Sequence, residues 1–407
     1  MLTPAQKTTI RATVPALQAH GDTITRTFYA RLFAAHPELL NVFNPANQQT
    51  GQQARSLAAS VLAYAEHIDR PDLLTPMVQR IAHKHVSLDV HAQQYPVVGE
   101  HLLAAIAEVL GDAATPEILS AWAAAYDELA ALMIGTERTL SRAGTEQPGG
   151  WSGFTPLQVT RVTPESSVIT SLTLERPGGE TLPTYQAGQY VSVKVKVPGD
   201  DHWHIRQYSL TAAPNGRQYR IAVKRAAGGV VSTHLHDRIR EGDDLLVHVP
   251  AGDFTLRPGT RPVVLLSGGV GITPLLAMLH AALTGAPQRP VTFVHAALNR
   301  AAHAFGDEVN ALAAQHPQLR TLVFYTDVQD TDQLALHYDQ AGVITTAALK
   351  PVLPLDADYY YCGPTGFVAT VEGILDDLHI PATRRFTETF GPSQGFSVAA
   401  QAPATPV

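Results

Sequence analysis

The feature that most constrains this chain is a double change in its hydrophobic period. Residues 1–145 place apolar side chains at helical spacing, rich in Ala and Leu, with Pro37, Pro71, Pro76 and Pro116 near plausible helix starts. The stretch TEQPGGWSGFTP at 145–156 then breaks the pattern as a linker would. Beyond it the period becomes two. In QYVSVKVKV (189–197), Val191, Val193, Val195 and Val197 alternate with Ser192, Lys194 and Lys196, and HIRQYSL, QYRIAVKR and DLLVHVP read as further short strands of a small antiparallel barrel. Towards the C-terminus, PVVLLS, VTFVHA, TLVFYT and DYYYC are apolar strands separated by helix-length segments, the βαβ rhythm of an open parallel sheet. A multi-domain chain is expected: helical at 1–145, a linker at 146–153, a barrel at 154–258, an α/β parallel-sheet domain at 259–392 and a disordered tail at 393–407.

Charge and cysteine usage narrow the function classes. A net charge of −7 weighs against a nucleic-acid partner, which needs a basic face. Cys362 is the only cysteine, so disulfides and cysteine-rich metal sites are excluded and a reducing compartment fits. MLTPAQKTTI has no signal-peptide core, and apolar stretches such as LLAAIAEVL are too short and charge-interrupted to span a bilayer. A cytoplasmic, monomeric protein without a membrane span is expected.

Within the helical part, RIAHKHVSLD (80–89) holds two histidines that cannot share a helix face. Met77, Ile81, His85 and Leu88 form one stripe, so His85 is expected inward; His83 shares the outward side with Gln79 and Ser87. Tyr29 lies on the edge of the stripe Ile24, Phe28, Leu32 and Phe33. Gln53 opens the stripe Leu57, Val61 and Tyr64, and Phe43 lies between the two in NVFNPAN. Tyr95 opens a stripe through Val98, Leu102, Ile106 and Val109, whereas Glu137 closes one through Trp122, Tyr126, Leu129 and Met133. A core residue with a satisfied polar tip is the ordinary explanation of the inward ones, and exposure at a margin that of Glu137. Taken together they have a second: a haem gripped between helices by one imidazole, with a tyrosine and a glutamine facing the opposite ligand position.

FYARLF, NVFNPANQ, QQARSLAASVLAYA, IAHKHVSLDV and QQYPVVGEHLL resemble the globin domain of flavohaemoglobins, and the resemblance continues along the whole chain. It implies an all-α globin, an antiparallel flavin barrel and an α/β nicotinamide domain of the ferredoxin-reductase kind. It further implies haem b with His85 as the proximal ligand, Tyr29 and Gln53 as the distal pair, and Phe43 and Leu57 shaping the pocket. Tyr95 and Glu137 would hydrogen-bond towards the proximal imidazole, and a carboxylate accepting that N–H makes the ring a stronger donor to iron. Lys84 matches a position that affects haem potential; any exposed lysine would also suit the place.

The reductase half carries its own signatures. HIRQYSL holds Arg206, Gln207, Tyr208 and Ser209, an Arg-x-Tyr-Ser string whose arginine fork suits the FAD diphosphate. GGVVSTHLH (228–236) leads into a helix start that can receive a phosphate. Tyr190 matches another flavin contact and equally suits an ordinary strand aromatic. LLSGGVGITPLLAML (265–279) runs strand, glycine turn, helix, with Thr273 and Pro274 suited to the N-cap and first helical positions. Gly268, Gly269 and Gly271 would let a pyrophosphate approach. The string does not meet the strict G-x-G-x-x-G; it matches the GVGxTP form of flavin reductases through Gly269, Val270, Gly271, Ile272, Thr273 and Pro274. In YYYCGPTGF, Cys362, Gly363 and Pro364 match a second nicotinamide signature, though an inert buried thiol is the commoner fate of a lone cysteine. TETFGP (387–392) resembles the strand closing over the flavin, through Glu388, Thr389, Phe390, Gly391 and Pro392; family members often have cysteine where Thr389 stands. HAALNR (295–300) offers no acidic residue to the ribose, and Arg300 would suit a 2′-phosphate. The resemblance favours NADH over NADPH.

The implied activity is oxidation of nitric oxide by O2 to nitrate, with electrons passing from nicotinamide through flavin to haem. Two alternatives remain: a haem-based oxygen or gas-sensing protein, which would need the globin but not the reductase signatures, and a flavoreductase acting on hydroperoxides or ferric iron, which would keep every motif.

Overall fold

The structure, a computed structural model, describes residues 1–43 and 51–391. The tail 393–407, Pro392 and most of NVFNPANQ lie outside the described residues. The chain divides into two compact units, one built on Met1–Glu146 with Val195–Ile205, the other on Gln147–Lys194 and Arg206–Phe390.

The N-terminal part is helical: α1 (Pro4–Ala12), α2 (Val14–Ala35), α3 (Gln52–Glu66), α4 (Thr75–Ser87), α5 (Gln94–Leu110) and α6 (Pro116–Thr145). Local chemistry sets the helix starts. Gln6 N donates to Thr3 Oγ1 at 3.2 Å and Thr3 N donates to the Gln6 side chain at 2.9 Å, a reciprocal cap followed by Pro4 in the first helical position. Thr115 and Pro116 repeat the arrangement at α6, without the return bond. Ile24, Phe28 and Leu32 of α2 meet Leu102 and Ile106 of α5 and Trp122 and Ala125 of α6 in one core. Its polar tips are satisfied: Trp122 Nε1 donates to Thr13 Oγ1 at 3.3 Å and Tyr64 Oη donates to the Ala125 carbonyl at 3.4 Å.

Two readings of this part need correction. Ser87, expected outward beside His83, is fully buried and donates to the Lys84 carbonyl at 2.8 Å. The helix ends there, Asp89 takes a left-handed φ of 59°, and Val90 N returns to the His85 carbonyl at 3.0 Å, so the chain folds over Ser87. Secondly, α6 is longer than LLAAIAEVL and apolar enough to cross a bilayer by length and composition alone. One face of α6 packs Ala121, Trp122, Ala125 and Met133 inward and buries the carboxylate of Glu137, an expensive group in hydrocarbon.

The strand-rich part begins with β1 (Phe154–Pro164), β2 (Ile169–Glu175), β3 (Tyr190–Lys196), β4 (Trp203–Ser209), β5 (Gln218–Lys224) and β6 (Asp244–His248), with helix α7 (Val230–Asp237) between the last two. Their order is β4-β3-β6-β1-β2-β5, and Leu210, just past β4, bridges Ile221 of β5, so the sheet curls towards closure. Alternation in β3 is less clean than expected. Ser192 is fully buried, taking a 3.3 Å hydrogen bond from Gln207 Nε2 of β4, and Val197 lies beyond the strand end.

A second sheet is parallel throughout: β7 (Val263–Gly268), β8 (Val291–Ala297), β9 (Leu319–Tyr325), β10 (Gln340–Ala341), β11 (Asp358–Cys362) and β12 (Arg385–Glu388), ordered β10-β9-β8-β7-β11-β12. Helices α8 (Ile272–Gly285), α9 (Gly306–Gln315) and α10 (Thr365–Asp377) accompany it. Both faces of β7 and β11 are buried, which explains their unbroken apolar runs. Strand order reverses between β7 and β11, so the crevice beyond their carboxyl ends is where such a sheet binds ligands. Ala187, Ala222 and Phe254 of the barrel share a core with Leu265, Leu276 and Met278 of this sheet and its helix.

Candidate functional site

His85 sits near the end of α4 with one ring nitrogen tied down. Its Nδ1 lies 2.7 Å from Glu137 Oε1 and 3.1 Å from Tyr95 Oη, and Tyr95 Oη donates to the same Oε1 at 2.5 Å. Glu137 can only accept, so Nδ1 carries the proton and Nε2 bears the lone pair. Tyr126 Oη anchors this group by donating to the Tyr95 carbonyl at 2.6 Å, and the Tyr126 ring leaves room for no side chain at Gly99, where a Cβ would stand 2.5 Å from Cε1. Glu137 is buried, not marginal. Burial, reinforced by the Glu137 carboxylate, raises the Tyr95 hydroxyl well above the ordinary phenol range, so it remains a donor.

The imidazole is 33% exposed. No described residue bonds its Nε2. Among the described residues no three His, Cys, Asp or Glu side chains cluster to hold a metal. A single imidazole oriented by a carboxylate is the donor set that suits a haem iron. The residues fit a haem.

Tyr29 and Gln53 come together from α2 and α3. Their side chains share a hydrogen bond, and burial raises the Tyr29 hydroxyl far above its usual value although that bond pulls the other way. Phe43 stands edge-on to Tyr29 with ring centroids 5.7 Å apart, and Phe33 stacks on Tyr29 at 5.7 Å. Leu57 and Val61 pack against the same core. Lys84 is exposed beside His85.

In the barrel, Arg206, Gln207, Tyr208 and Ser209 occupy the last half of β4. Burial lowers the Arg206 guanidinium and raises the Tyr208 hydroxyl from their usual values. Tyr190 opens β3, pairs with Ala251 through backbone bonds of 2.9 Å both ways, and lies over Gly252, where a Cβ would come within 3.0 Å of its ring. Glu388 pairs with Cys362 across β11 and β12, whereas Thr389, Phe390 and Gly391 are exposed just past the strand.

The glycine turn departs from its expected detail. Helix α8 starts at Ile272 after a 3-10 turn over Gly269–Gly271, so Thr273 and Pro274 are second and third in the helix rather than cap and first residue. Thr273 Oγ1 instead donates back to the Val270 carbonyl at 3.0 Å, and Pro274 lacks an N–H only where the first turn leaves N–H groups unpaired. Gly269 takes a φ of 52°; a Cβ on Gly271 would meet the Cys362 carbonyl at 2.1 Å. Glycine is thus required for turn and strand packing as well as for ligand approach. Cys362 is fully buried, and burial pushes its thiol up, with Glu388 adding to the effect. Gly363 and Pro364 follow it into α10.

Two groups of side chains escaped sequence reasoning. His295, at the end of β8, accepts or donates a 2.8 Å bond with Ser267 Oγ and stacks on His303 at 4.6 Å; His303 Nδ1 reaches Tyr325 Oη at 2.9 Å. Burial lowers His303 to about 4 and lowers His295 as well. The second group joins Arg220, Glu308 and His280. Residues 88 apart leave no local signal.

These modules define a globin joined to an FAD- and NAD-binding oxidoreductase. Three family models match in that order: Globin over 26–133, Oxidoreductase FAD-binding domain over 156–256 and Oxidoreductase NAD-binding domain over 265–373. The flavohemoprotein of Deinococcus radiodurans is 63% identical over 98% of this chain and 99% of its own length. A crystal structure of flavohemoglobin from Malassezia yamatoensis with bound FAD and heme aligns with a TM-score of 0.86 at 29% identity, covering 96% of this chain and all of that one (100%). The FAD/NAD-binding domain of nitric oxide dioxygenase from Vibrio cholerae is 37% identical over 59% of this chain and 100% of that chain, with a TM-score of 0.54. The chain belongs to the flavohemoprotein family.

Proposed function

We infer that this protein is a nitric oxide dioxygenase, oxidising nitric oxide with O2 to nitrate at the expense of NADH. The observation that carries the reading is the His85–Glu137–Tyr95 triad in a chain that also holds FAD- and NAD-binding modules. When bound, haem supplies an iron that takes O2 and single electrons, and FAD converts the nicotinamide's electron pair into single ones.

The chain's own residues orient and hold protons. Glu137 fixes the proton on His85 Nδ1 and presents Nε2 to iron; its negative charge makes the imidazole a stronger donor, favouring activation of oxygen over storage. Tyr29 keeps its proton on Oη, because burial disfavours the phenolate, and with Gln53 would offer hydrogen bonds to an oxygen ligand when haem is bound. Arg206 and Tyr208 would hold the flavin, Arg206 through its diphosphate, with Ser209, Tyr190 and Glu388 beside the ring. The Gly269–Pro274 turn would take the nicotinamide cofactor's pyrophosphate. NADH is favoured over NADPH on the family resemblance, although Arg300 would suit a 2′-phosphate. The small gases O2 and nitric oxide are the partners, and a cytoplasmic monomer is the form proposed.

The test is nitric oxide consumption by the purified holoprotein with NADH and O2, with nitrate measured. Stoichiometric nitrate, lost in His85→Ala while NADH oxidation by an artificial acceptor survives, supports the reading. Turnover persisting in His85→Ala would make the protein a flavoreductase, and no turnover in the unaltered protein would leave a gas-binding role.

A further inference from the structure

We propose that Arg220, Glu308 and His280 form a clamp that fixes the flavin strand against the nucleotide helix and so sets the distance for hydride transfer. The clamp rests on the cofactor assignment above and concerns one step within it: a hydride, carrying two electrons, leaves C4 of the dihydronicotinamide and bonds to N5 of the flavin, oxidising the first and reducing the second.

The geometry is that of a two-ended bolt. Arg220 on β5 donates from Nη1 to Glu308 Oε2 and from Nη2 to Glu308 Oε1, both at 2.9 Å. The same guanidinium donates from Nε to Thr211 Oγ1 at 2.8 Å and from Nη2 to the Thr211 carbonyl at 3.0 Å. Thr211 lies two residues beyond Ser209, so the arginine grips the tail of the proposed flavin-binding strand. At the other end Glu308, in the first turn of α9, also bonds His280 Nε2 at 2.6 Å. His280 stands about two turns along α8 from Thr273, on the helix that begins at the glycine turn. The Arg220 guanidinium also lies 5.2 Å from the centroid of the Phe305 ring, which completes its cradle.

Each end of the chain of contacts therefore reaches an element that carries one proposed cofactor site, and the shared apolar core alone does not explain it. Packing of Ala187, Ala222 and Phe254 against Leu276 and Met278 holds the modules together without direction, since burial of apolar surface tolerates sliding. A paired arginine–carboxylate fork does not. Neither partner is freely solvated, with side chains 20% and 27% exposed. Burial alone would raise the Glu308 carboxyl; bonds from His280 and Arg220 override it and bring the group down to about 2. Glu308 thus carries its charge wherever the protein works. Arg220, Glu308 and His280 are positioning residues, because no cofactor need touch them.

Arg220→Lys and Glu308→Gln separate direction from charge and volume, and both leave the apolar contact intact. The holoprotein is mixed anaerobically with NADH, and with NADH deuterated at the transferred position, while flavin absorbance is followed. In parallel, hydrogen exchange is measured over 206–224 and 272–284, and flavin content is quantified. Expected is a fall in flavin reduction of about tenfold in each variant, since misplacement by an ångström costs on the order of a hundredfold. The isotope effect should rise, flavin content stay complete and exchange quicken in both segments. The double variant should be little worse than the poorer single one. Unchanged reduction rates would overturn the clamp, as would full activity in Arg220→Lys, or a loss that merely follows lost flavin. Because flavin reduction is read without nitric oxide, failure of the dioxygenase reading would appear separately, as absent nitrate in the unaltered protein.

Discussion

Replacing Glu137 by Gln changes one charge and almost no volume beside the His85 imidazole. Glu137 Oε1 accepts from both His85 Nδ1, at 2.7 Å, and Tyr95 Oη, at 2.5 Å. The amide oxygen of glutamine can still accept, but as a neutral group, and charge-assisted bonds are about twice as strong as neutral ones. Against net values of about 1.5–3 kcal/mol for bonds to charged groups, the substitution removes roughly 1–2 kcal/mol. That preference favours the more positive, ferric state, because a more basic imidazole gives more electron density to iron. At about 59 mV per tenfold for a single electron, the haem potential should rise by roughly 40–90 mV. The assay is a spectroelectrochemical titration of the Soret band in the holoprotein, with resonance Raman reading the iron–histidine stretch. The stretch should fall in frequency as the potential climbs. A potential unmoved within error, with an unchanged stretch, would refute the proposition that the carboxylate acts through His85.

Further outcomes follow from other contacts. Tyr29→Phe removes the buried hydroxyl next to Gln53 and should raise the oxygen dissociation rate about tenfold or more, corresponding to a bond of roughly 1.5 kcal/mol, measured by flash photolysis; an unchanged rate removes Tyr29 from the distal role. His303 is lowered to about 4 from 6.5 by burial, so the unfolded chain binds the extra proton between those values and stability falls as pH drops from about 6.5 to 4. Chemical denaturation across that window should show the slope, and His303→Gln, which can still bond Tyr325, should make it shallower, leaving the share of His295. Gly271→Ala forces a Cβ to within 2.1 Å of the Cys362 carbonyl and should cost about 2 kcal/mol or more, read as a lower midpoint of unfolding.

What the sequence disclosed was whatever a period can carry. Three textures separated the helical, barrel and parallel-sheet regions because burial follows 3.6 in a one-sided helix and 2 in a one-sided strand. His85, Tyr29 and Gln53 stood out as polar residues on or beside apolar stripes. Glu137 was ambiguous for the same reason: a stripe says which face a residue shares, not how deep its end lies, and only packing against α4 and α5 buries it. Ser87 was misplaced because the helix stops at that residue and the chain turns back over it, which helical period cannot foresee. Thr273 and Pro274 read as a helix start because their chemistry suits one, while Gly269–Gly271 wound a tighter turn ahead of them. Arg220 with Glu308 was invisible because tertiary closure joins distant segments of ordinary composition, and His295 with His303 because a short turn after β8 brings the two rings together without a periodic signal.

The measurement that bears most directly on the whole relay is the anaerobic addition of NADH to the purified holoprotein, followed at the flavin and Soret wavelengths. Expected is bleaching of the flavin followed by conversion of ferric to ferrous haem, with His85→Ala showing only the first. Full flavin reduction with a haem that stays ferric would contradict electron delivery from the reductase modules to the His85 site.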